Sequence, residues 1–194
     1  MKPLRIVIAD DEAIIRMDLK EILEGAGHEV VGETANGRRA VAIVRDTRPD
    51  LVILDVKMPD MDGIEAARMI AADHLAPVLL LTAFDDAELI ERATDAGVLA
   101  YLVKPVEEKN LFPAIEIALS RWKEMQSLEE ELEAMRDSLE LRKLLDRAKG
   151  ILMQAHGISE DEAYRRLQRY SMEKRRPLKD VAAAVVQAGA KKRR

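Results

Sequence analysis

The sequence predicts a doubly wound α/β domain of five βα units, then a long coiled-coil-like helix, then a small C-terminal three-helix bundle. Three observations carry that expectation. Five short, mostly apolar, β-branched runs alternate with helix-period stretches over residues 1–105. A single helical pattern runs almost without a breaker from Asn110 to His156. After it comes no strand pattern at all. A chain of 194 residues can hold two modest domains.

The strand runs are residues 5–9, 29–33, 51–54, 78–81 and 99–103. Near-continuous apolar strands must be covered on both faces, which indicates a five-stranded parallel sheet. Between the first two runs Ile14, Ile15, Leu19, Ile22 and Leu23 recur at helical spacing and stop at Gly25 and Gly27. In such a sheet a ligand sits beyond the carboxyl ends of the strands. The residues that end each strand are therefore the candidates for chemistry.

In the long helical segment Leu128, Leu132, Met135, Leu139 and Arg142 are spaced 4-3-4-3, a coiled-coil seam with one polar position. Ile115, Ala118, Trp122 and Met125 form an earlier seam, and the step of three from Met125 to Leu128 is a stammer between them. The acidic run 129–131 reads as a solvated face. Gly157 ends the segment, and Ser159 with Glu162 forms a capping box that opens a helix to about Arg176, before Pro177. Leu178, Val181, Ala182 and Val185 make a short third helix ending near Gly189, and the tail 191–194 is expected to fray. The expected organisation is residues 1–120, a linker helix 121–141, and a helical domain 142–194.

Composition removes several classes of function. Hydrophobic residues at 48% and charged residues at 35% fit a folded chain rather than a disordered one. The absence of cysteine excludes disulfides, thiolate zinc sites and a cysteine nucleophile. The apolar run near the N-terminus is too short for a signal peptide or a membrane span, so a cytoplasmic protein with no membrane partner is expected. The net charge of −5 conceals an asymmetry. Residues 1–112 carry 13 basic and 22 acidic residues (net −9), residues 113–141 carry 3 and 8 (net −5), and residues 142–194 carry 15 and 6 (net +9).

Asp10 and Asp11 follow the first strand run and Asp55 follows the third. The topology expected for this sheet sets those strands side by side at its switch point, so the three carboxylates converge. They repel one another, and a hard divalent cation with oxygen ligands, Mg²⁺, answers that repulsion. Thr82 ends the fourth run, and Lys104, followed by Pro105, ends the fifth. A hydroxyl and an ammonium at those ends suit phosphoryl oxygens. Any one of these residues alone reads as a helix cap or a solvated charge. The ordered set does not.

Asp10-Asp11, Asp55 with Met58-Pro59 and Asp62-Gly63, Thr82-Ala83 and Lys104-Pro105 together make residues 1–120 resemble the receiver domain of two-component response regulators. The resemblance implies that Asp55 accepts a phosphoryl group from a sensor histidine kinase. It implies that Asp11 binds Mg²⁺ directly, Asp10 mainly through water, and that the Lys57 backbone carbonyl is a further ligand beside Asp55. It makes Thr82 and Tyr101 a switch pair and Lys104 the phosphate-binding lysine, with a cis Lys104-Pro105 bond. Such a domain promotes its own phosphorylation and is not otherwise an enzyme.

In the last segment Leu144, Ala148, Ile151 and Ala155 form one apolar stripe, Ala163, Leu167 and Tyr170 a second, and Val181 and Val185 a third. Outside that core stand Lys143 and Arg147, then Arg165, Arg166 and Arg169 at helical-neighbour spacing, then Lys174, Arg175 and Arg176. Such a basic surface is expected to meet nucleic acid, with solvated charge as the plainer alternative. The run Asp146-Arg147-Ala148-Lys149-Gly150-Ile151-Leu152-Met153, Ser159 to Ala163, and Asp180-Val181-Ala182 resembles the ANTAR domain of antiterminator regulators. That likeness implies binding of paired RNA hairpin loops in nascent transcripts to prevent termination, in a module commonly joined to a receiver through a coiled-coil helix. The seam of the long helix is expected to serve a phosphorylation-dependent homodimer, with packing of its leucines back on their own chain as the alternative. Ser171 stands where that core calls for alanine. DNA or a protein partner for the C-terminal helices is the alternative.

Overall fold

A computed structural model describes residues 2–83 and 87–191, with the side chains of 87–89, 190 and 191 left undescribed. Residues 192–194 of the tail expected to fray lie outside the described residues. Two compact units divide at residue 126, residues 1–126 and 127–194.

In the first unit the strands are β1 (Arg5–Ala9), β2 (Glu29–Thr34), β3 (Leu51–Asp55), β4 (Val78–Thr82) and β5 (Ala100–Val103). They form one parallel sheet in the order β2-β1-β3-β4-β5. The helices α1 (Ala13–Gly25), α2 (Gly37–Thr47), α3 (Gly63–Ala72) and α4 (Ala87–Asp95) alternate with the strands. The sheet separates two cores. Val7, Val52, Leu54, Val78 and Leu80 pack on α2 and α3 through Val41, Val44, Ile64 and Ile70. Ile6, Ile8, Ile53, Leu79 and Leu81 pack on Leu19, Leu23, Leu111, Ile115 and Ala118. Every residue of β3 and β4 is buried, which is why those runs carry no polar alternation. Both extend one residue beyond the apolar run, so Asp55 and Thr82 are the last residues of their strands.

The loops are fixed by side-chain caps. Asn36 accepts from the Arg39 N–H at the start of α2, and Asp62 accepts from the Glu65 N–H, 2.7 Å away, at the start of α3. Gly63 then lies directly on the backbone of Asp55. Its N–H donates to the Val56 carbonyl at 2.8 Å, and a Cβ there would overlap the Asp55 carbonyl oxygen.

One helix, α5 (Glu108–His156), contains the whole breaker-free segment, with Pro113 and Gly150 inside it. Pro113 lies in its second turn, close enough to the start that little of the hydrogen-bond ladder is lost. The seam residues Leu128, Leu132, Met135 and Leu139 are all more than half exposed.

In the second unit the end of α5 packs with α6 (Glu160–Lys174) and α7 (Leu178–Lys191). Ala148, Leu167, Val181 and Ala182 form the buried centre, ringed by Leu144, Leu145, Leu152, Leu178, Val185 and Val186. The stripes differ from expectation at several positions. Ala155 is exposed, and Leu145 and Leu152 join the centre instead. Tyr170 is half exposed rather than core, because the α7 residues that share its cleft include the short Ala184 and Ala188. Ser159 caps α6 as expected, by accepting from the Glu162 N–H. Helix α6 stops at Lys174, and Arg175 is a left-handed C-cap with φ 50°, so Arg175 and Arg176 leave the helix before Pro177. Ser171 has a task that alanine could not perform: its hydroxyl donates to the Arg176 carbonyl at 2.5 Å while Arg176 N–H donates back to Ser171 at 3.0 Å.

Gly63→Ala tests the packing under Asp55. A helix position ordinarily gains about 1 kcal/mol on this change. Here the added methyl meets backbone, and a net loss of about 2 kcal/mol is expected from overpacking in urea denaturation. A variant more stable than the parent would show that the loop yields.

Candidate functional site

The carboxyl edge of the sheet gathers residues from the ends of four strands, β1, β3, β4 and β5. β1 and β3 are hydrogen-bonded neighbours, with Ala9 opposite Leu54, so Asp10 and Asp55 leave adjacent strands side by side. Oxygens of Asp10, Asp11 and Asp55 all lie within 4.8 Å of one another. Asp10 and Asp55 are buried, and Asp11 is exposed at the mouth. Asp11, Glu12, Asp55, Lys57, Thr82 and Lys104 line one small cleft of about 250 Å³.

Lys104 is the counter-charge. Its ammonium lies 2.6 Å from Asp55 Oδ1, 2.8 Å from Asp10 Oδ2 and 3.7 Å from Glu12 Oε1. The cis Lys104-Pro105 bond follows it, and the Lys104 N–H donates to the Thr82 carbonyl at 2.7 Å, fastening β5 to β4 beside the cleft. Asp10 Oδ2 is fully buried and, among the described residues, lacks a hydrogen bond of good geometry, with the Lys104 ammonium as its close counter-charge at 2.8 Å. Asp10 Oδ1 accepts from the Glu12 N–H at 2.9 Å.

Burial pushes the Asp55 carboxyl above its ordinary range; the Lys104 ammonium pulls it back, and the Asp10 charge pushes it further up. Burial is also the largest single influence on Lys104 and would lower it. The Asp10 and Asp55 carboxylates together outweigh it and hold the ammonium above its ordinary value. The Lys104 ammonium is thus set against carboxylates that converge from Asp10, Asp11 and Asp55. The donor set is all hard oxygen, with one buried oxygen lacking an aligned donor, and it fits a small divalent cation.

Thr82 is buried at the end of β4, whereas Tyr101 on β5 is 43% exposed. Tyr101 lines a different cleft, with Ile90, Leu99, Ile117 and Arg121. Two contributors are not among the residues the sequence singles out. Glu12 joins the Lys104 charge cluster, and the Arg16 guanidinium donates to the Asp10 carbonyl at 2.6 Å, pinning the end of β1. Glu12 could have been found as the third acid of a run. Arg16 gives no signal, since an arginine on a surface helix reads as solvated.

Of the basic residues, Lys143, Arg147, Arg165, Arg166, Arg169, Lys174, Arg175 and Arg176 are all exposed in the second unit. Arg166 pairs through Nε with Glu162 at 3.3 Å, one turn earlier on α6. Lys149 is less exposed than these: it is held by Asp146 at 2.8 Å and Glu160 at 2.6 Å, and so ties α5 to the start of α6.

A family model for the response regulator receiver domain matches residues 6–116, and one for the ANTAR domain matches residues 133–186. The chain is 50% identical over 185 residues to the transcriptional regulatory protein PdtaR of Mycobacterium tuberculosis, covering 95% of this chain and 90% of that one. Among solved structures, the signal receiver domain of a modulated diguanylate cyclase from Desulfovibrio desulfuricans aligns with a TM-score of 0.59 at 32% identity, over 63% of this chain and 98% of that one. A CheX-CheY-BeF3-Mg complex from Borrelia burgdorferi aligns with a TM-score of 0.56 at 26% identity, over 58% of this chain and 87% of that one. No helix among the described residues is long and apolar enough to cross a membrane.

The charge balance of the cleft has a measurable consequence. Replacing Lys104 with Met leaves buried carboxylates uncompensated and is expected to cost about 3 kcal/mol at neutral pH. Millimolar MgCl₂ should recover part of that loss in urea denaturation. Asp55→Asn, which relieves repulsion, should leave stability equal or higher. If Lys104→Met is as stable as the parent, the carboxylates do not strain the fold.

Proposed function

This chain belongs to the response regulators that join a receiver domain to an ANTAR domain, phosphorylation-controlled RNA-binding antiterminators, and from that premise we propose which residues carry its two activities. The observation that supports the first is the Lys104 ammonium, shared between Asp10 and Asp55 at the edge of the sheet. Asp55 is the phosphoacceptor. One of its carboxylate oxygens forms the bond to phosphorus as the phosphorus–nitrogen bond of a sensor kinase phosphohistidine breaks, and the imidazole leaves. Lys104 stays within reach of the same oxygens and takes up negative charge on the incoming group. Thr82, at the next strand end, turns its hydroxyl to the phosphoryl group, and Tyr101 follows by moving inward from its half-exposed position.

Asp11, Asp10, Asp55 and the Lys57 carbonyl would hold Mg²⁺, which supplies charge neutralisation at the phosphoryl oxygens when bound. Asp11, at the mouth, would be the direct ligand, and Asp10, deeper, would act mainly through water. The exposed seam of α5 serves a second copy of the chain, so that phosphorylation controls self-association. The cytosol, where kinase and nascent transcript meet, is the proposed location.

Asp55→Asn should abolish labelling by a phosphohistidine kinase or by acetyl phosphate while the fold persists. Any mass increase that light scattering detects on phosphorylation should disappear in the same variant. Undiminished, acid-stable labelling would move the acceptor elsewhere.

For the second activity, residues 142–194 carry a net charge of +9, and the bundle presents its arginines outward. Arg165 and Arg169 lie one turn apart on α6 and engage the phosphates of an RNA hairpin. Lys143, Arg147, Arg166, Lys174, Arg175 and Arg176 extend that surface. Reversing Arg165 and Arg169 to Glu should weaken binding for all hairpins alike and lower the salt slope by about 0.7 for each phosphate no longer neutralised. An unchanged slope in filter binding across a salt series would assign the phosphates to other cations.

A further inference from the structure

The bundle has an apolar cleft of about 310 Å³ that its own core does not fill. Leu152 of α5, Leu167 of α6, and Val185 and Ala188 of α7 form its walls. Among its lining residues only Arg166 and Tyr170 have polar side chains. These two lie one turn apart on α6, and Tyr170 is 50% exposed. A tyrosine with half its surface in water gains little stability from its position. The Arg166 guanidinium is paired through Nε with the Glu162 carboxylate, one turn before it, at 3.3 Å.

We propose that this cleft receives one unstacked base of an RNA hairpin loop, with Tyr170 as its stacking platform and Arg166 as a second flat surface beside it. This rests on the RNA-binding reading of the C-terminal domain and adds to it the place where a base, and not only a phosphate, is read. Loop bases are available because they can be splayed out, and aromatic rings and guanidinium planes are the side chains that accept them. Charge favours RNA over an apolar protein segment. Arg165 and Arg169 stand on the same helix as both cleft residues, and the segment carries net +9, so a polyanion is drawn to the rim. Within one turn of Tyr170, α6 carries Arg166, Arg169 and Lys174 against Glu173 alone, while its other acids, Glu160, Asp161 and Glu162, lie in the first turn. A base seated on Tyr170 would leave its backbone phosphates at the arginines.

The test uses the full chain and hairpin RNAs recovered from a pool with a common stem and randomised loops. Tyr170→Ala should lower affinity by about tenfold to a hundredfold without changing the salt slope, since stacking releases no counterion. Tyr170→Phe, which keeps the ring, should bind as the parent does. Abasic substitution at each loop position, combined with Tyr170→Ala, should reveal one position where the two losses are not additive. If Tyr170→Ala lowers the melting temperature, Tyr170→Leu repeats the measurement with the apolar surface kept and the π face removed. Tight RNA binding that is additive at every loop position, or is insensitive to loss of the ring, overturns the cleft assignment alone. Failure of the unaltered chain to bind any RNA in the pool overturns the RNA reading together with it.

Discussion

The structure of the first domain turns on one ammonium among carboxylates. Asp10 and Asp55 end adjacent parallel strands, so the topology that gives the sheet its core also forces two acids together below the surface. Lys104 reaches both, at 2.8 and 2.6 Å, and its own backbone is fastened to Thr82. The compensation is incomplete, because Asp11 converges on the same point and burial still raises Asp55. A site left short of positive charge is prepared for a cation, and a site with a lysine already in place is prepared for an incoming anion. The first property follows from the excess of carboxylates, the second from the ammonium set among them.

The rigidity behind that site is achieved with little side-chain bulk. Gly63 lets α3 start against the backbone of Asp55, and Gly37 similarly lets α2 start against the Met61 carbonyl. Arg16 holds the Asp10 carbonyl from α1. Asp55 is thus fixed by its strand neighbours on both sides and by a helix start beneath it, while its carboxylate faces a narrow opening. Backbone positioned in this way does not need to reorganise when charge arrives.

The helical half is held by a different balance. Among the described residues its buried hydrophobics are five, Ala148, Ala163, Leu167, Val181 and Ala182, three of them alanines, so helices approach closely over a small area. Polar ties add to this: Lys149 joins α5 to Glu160 of α6, Lys179 of α7 reaches Asp137 of α5 at 2.9 Å, and Ser171 closes the turn after α6. These ties are exposed in part, and each adds little by itself. A small core with open rims leaves apolar surface at the Tyr170 cleft.

How much of this was legible in the sequence depends on the range of the interaction. The five strands, the N-cap at Ser159, the end of the long helix at Gly157, and the gathering of Asp10, Asp11, Asp55, Thr82 and Lys104 at one sheet edge follow from local periodicity, breakers and the single rule that such sheets bind at their carboxyl ends. The sequence by itself determined those, because each element depends on a residue and its near neighbours, and the parallel topology then brings the strand ends to one edge. Which residues of a helical stripe are covered was decided only by the tertiary structure. Tyr170 sits at the same helical spacing as Ala163 and Leu167 yet is half exposed, and Ala155 gives way to Leu145 and Leu152, because burial depends on what the facing helix carries at that height. Arg16 and Glu12 belong to the same class. A periodic pattern tells which face of a helix looks inward, and only the packed neighbours tell how far inward each side chain goes.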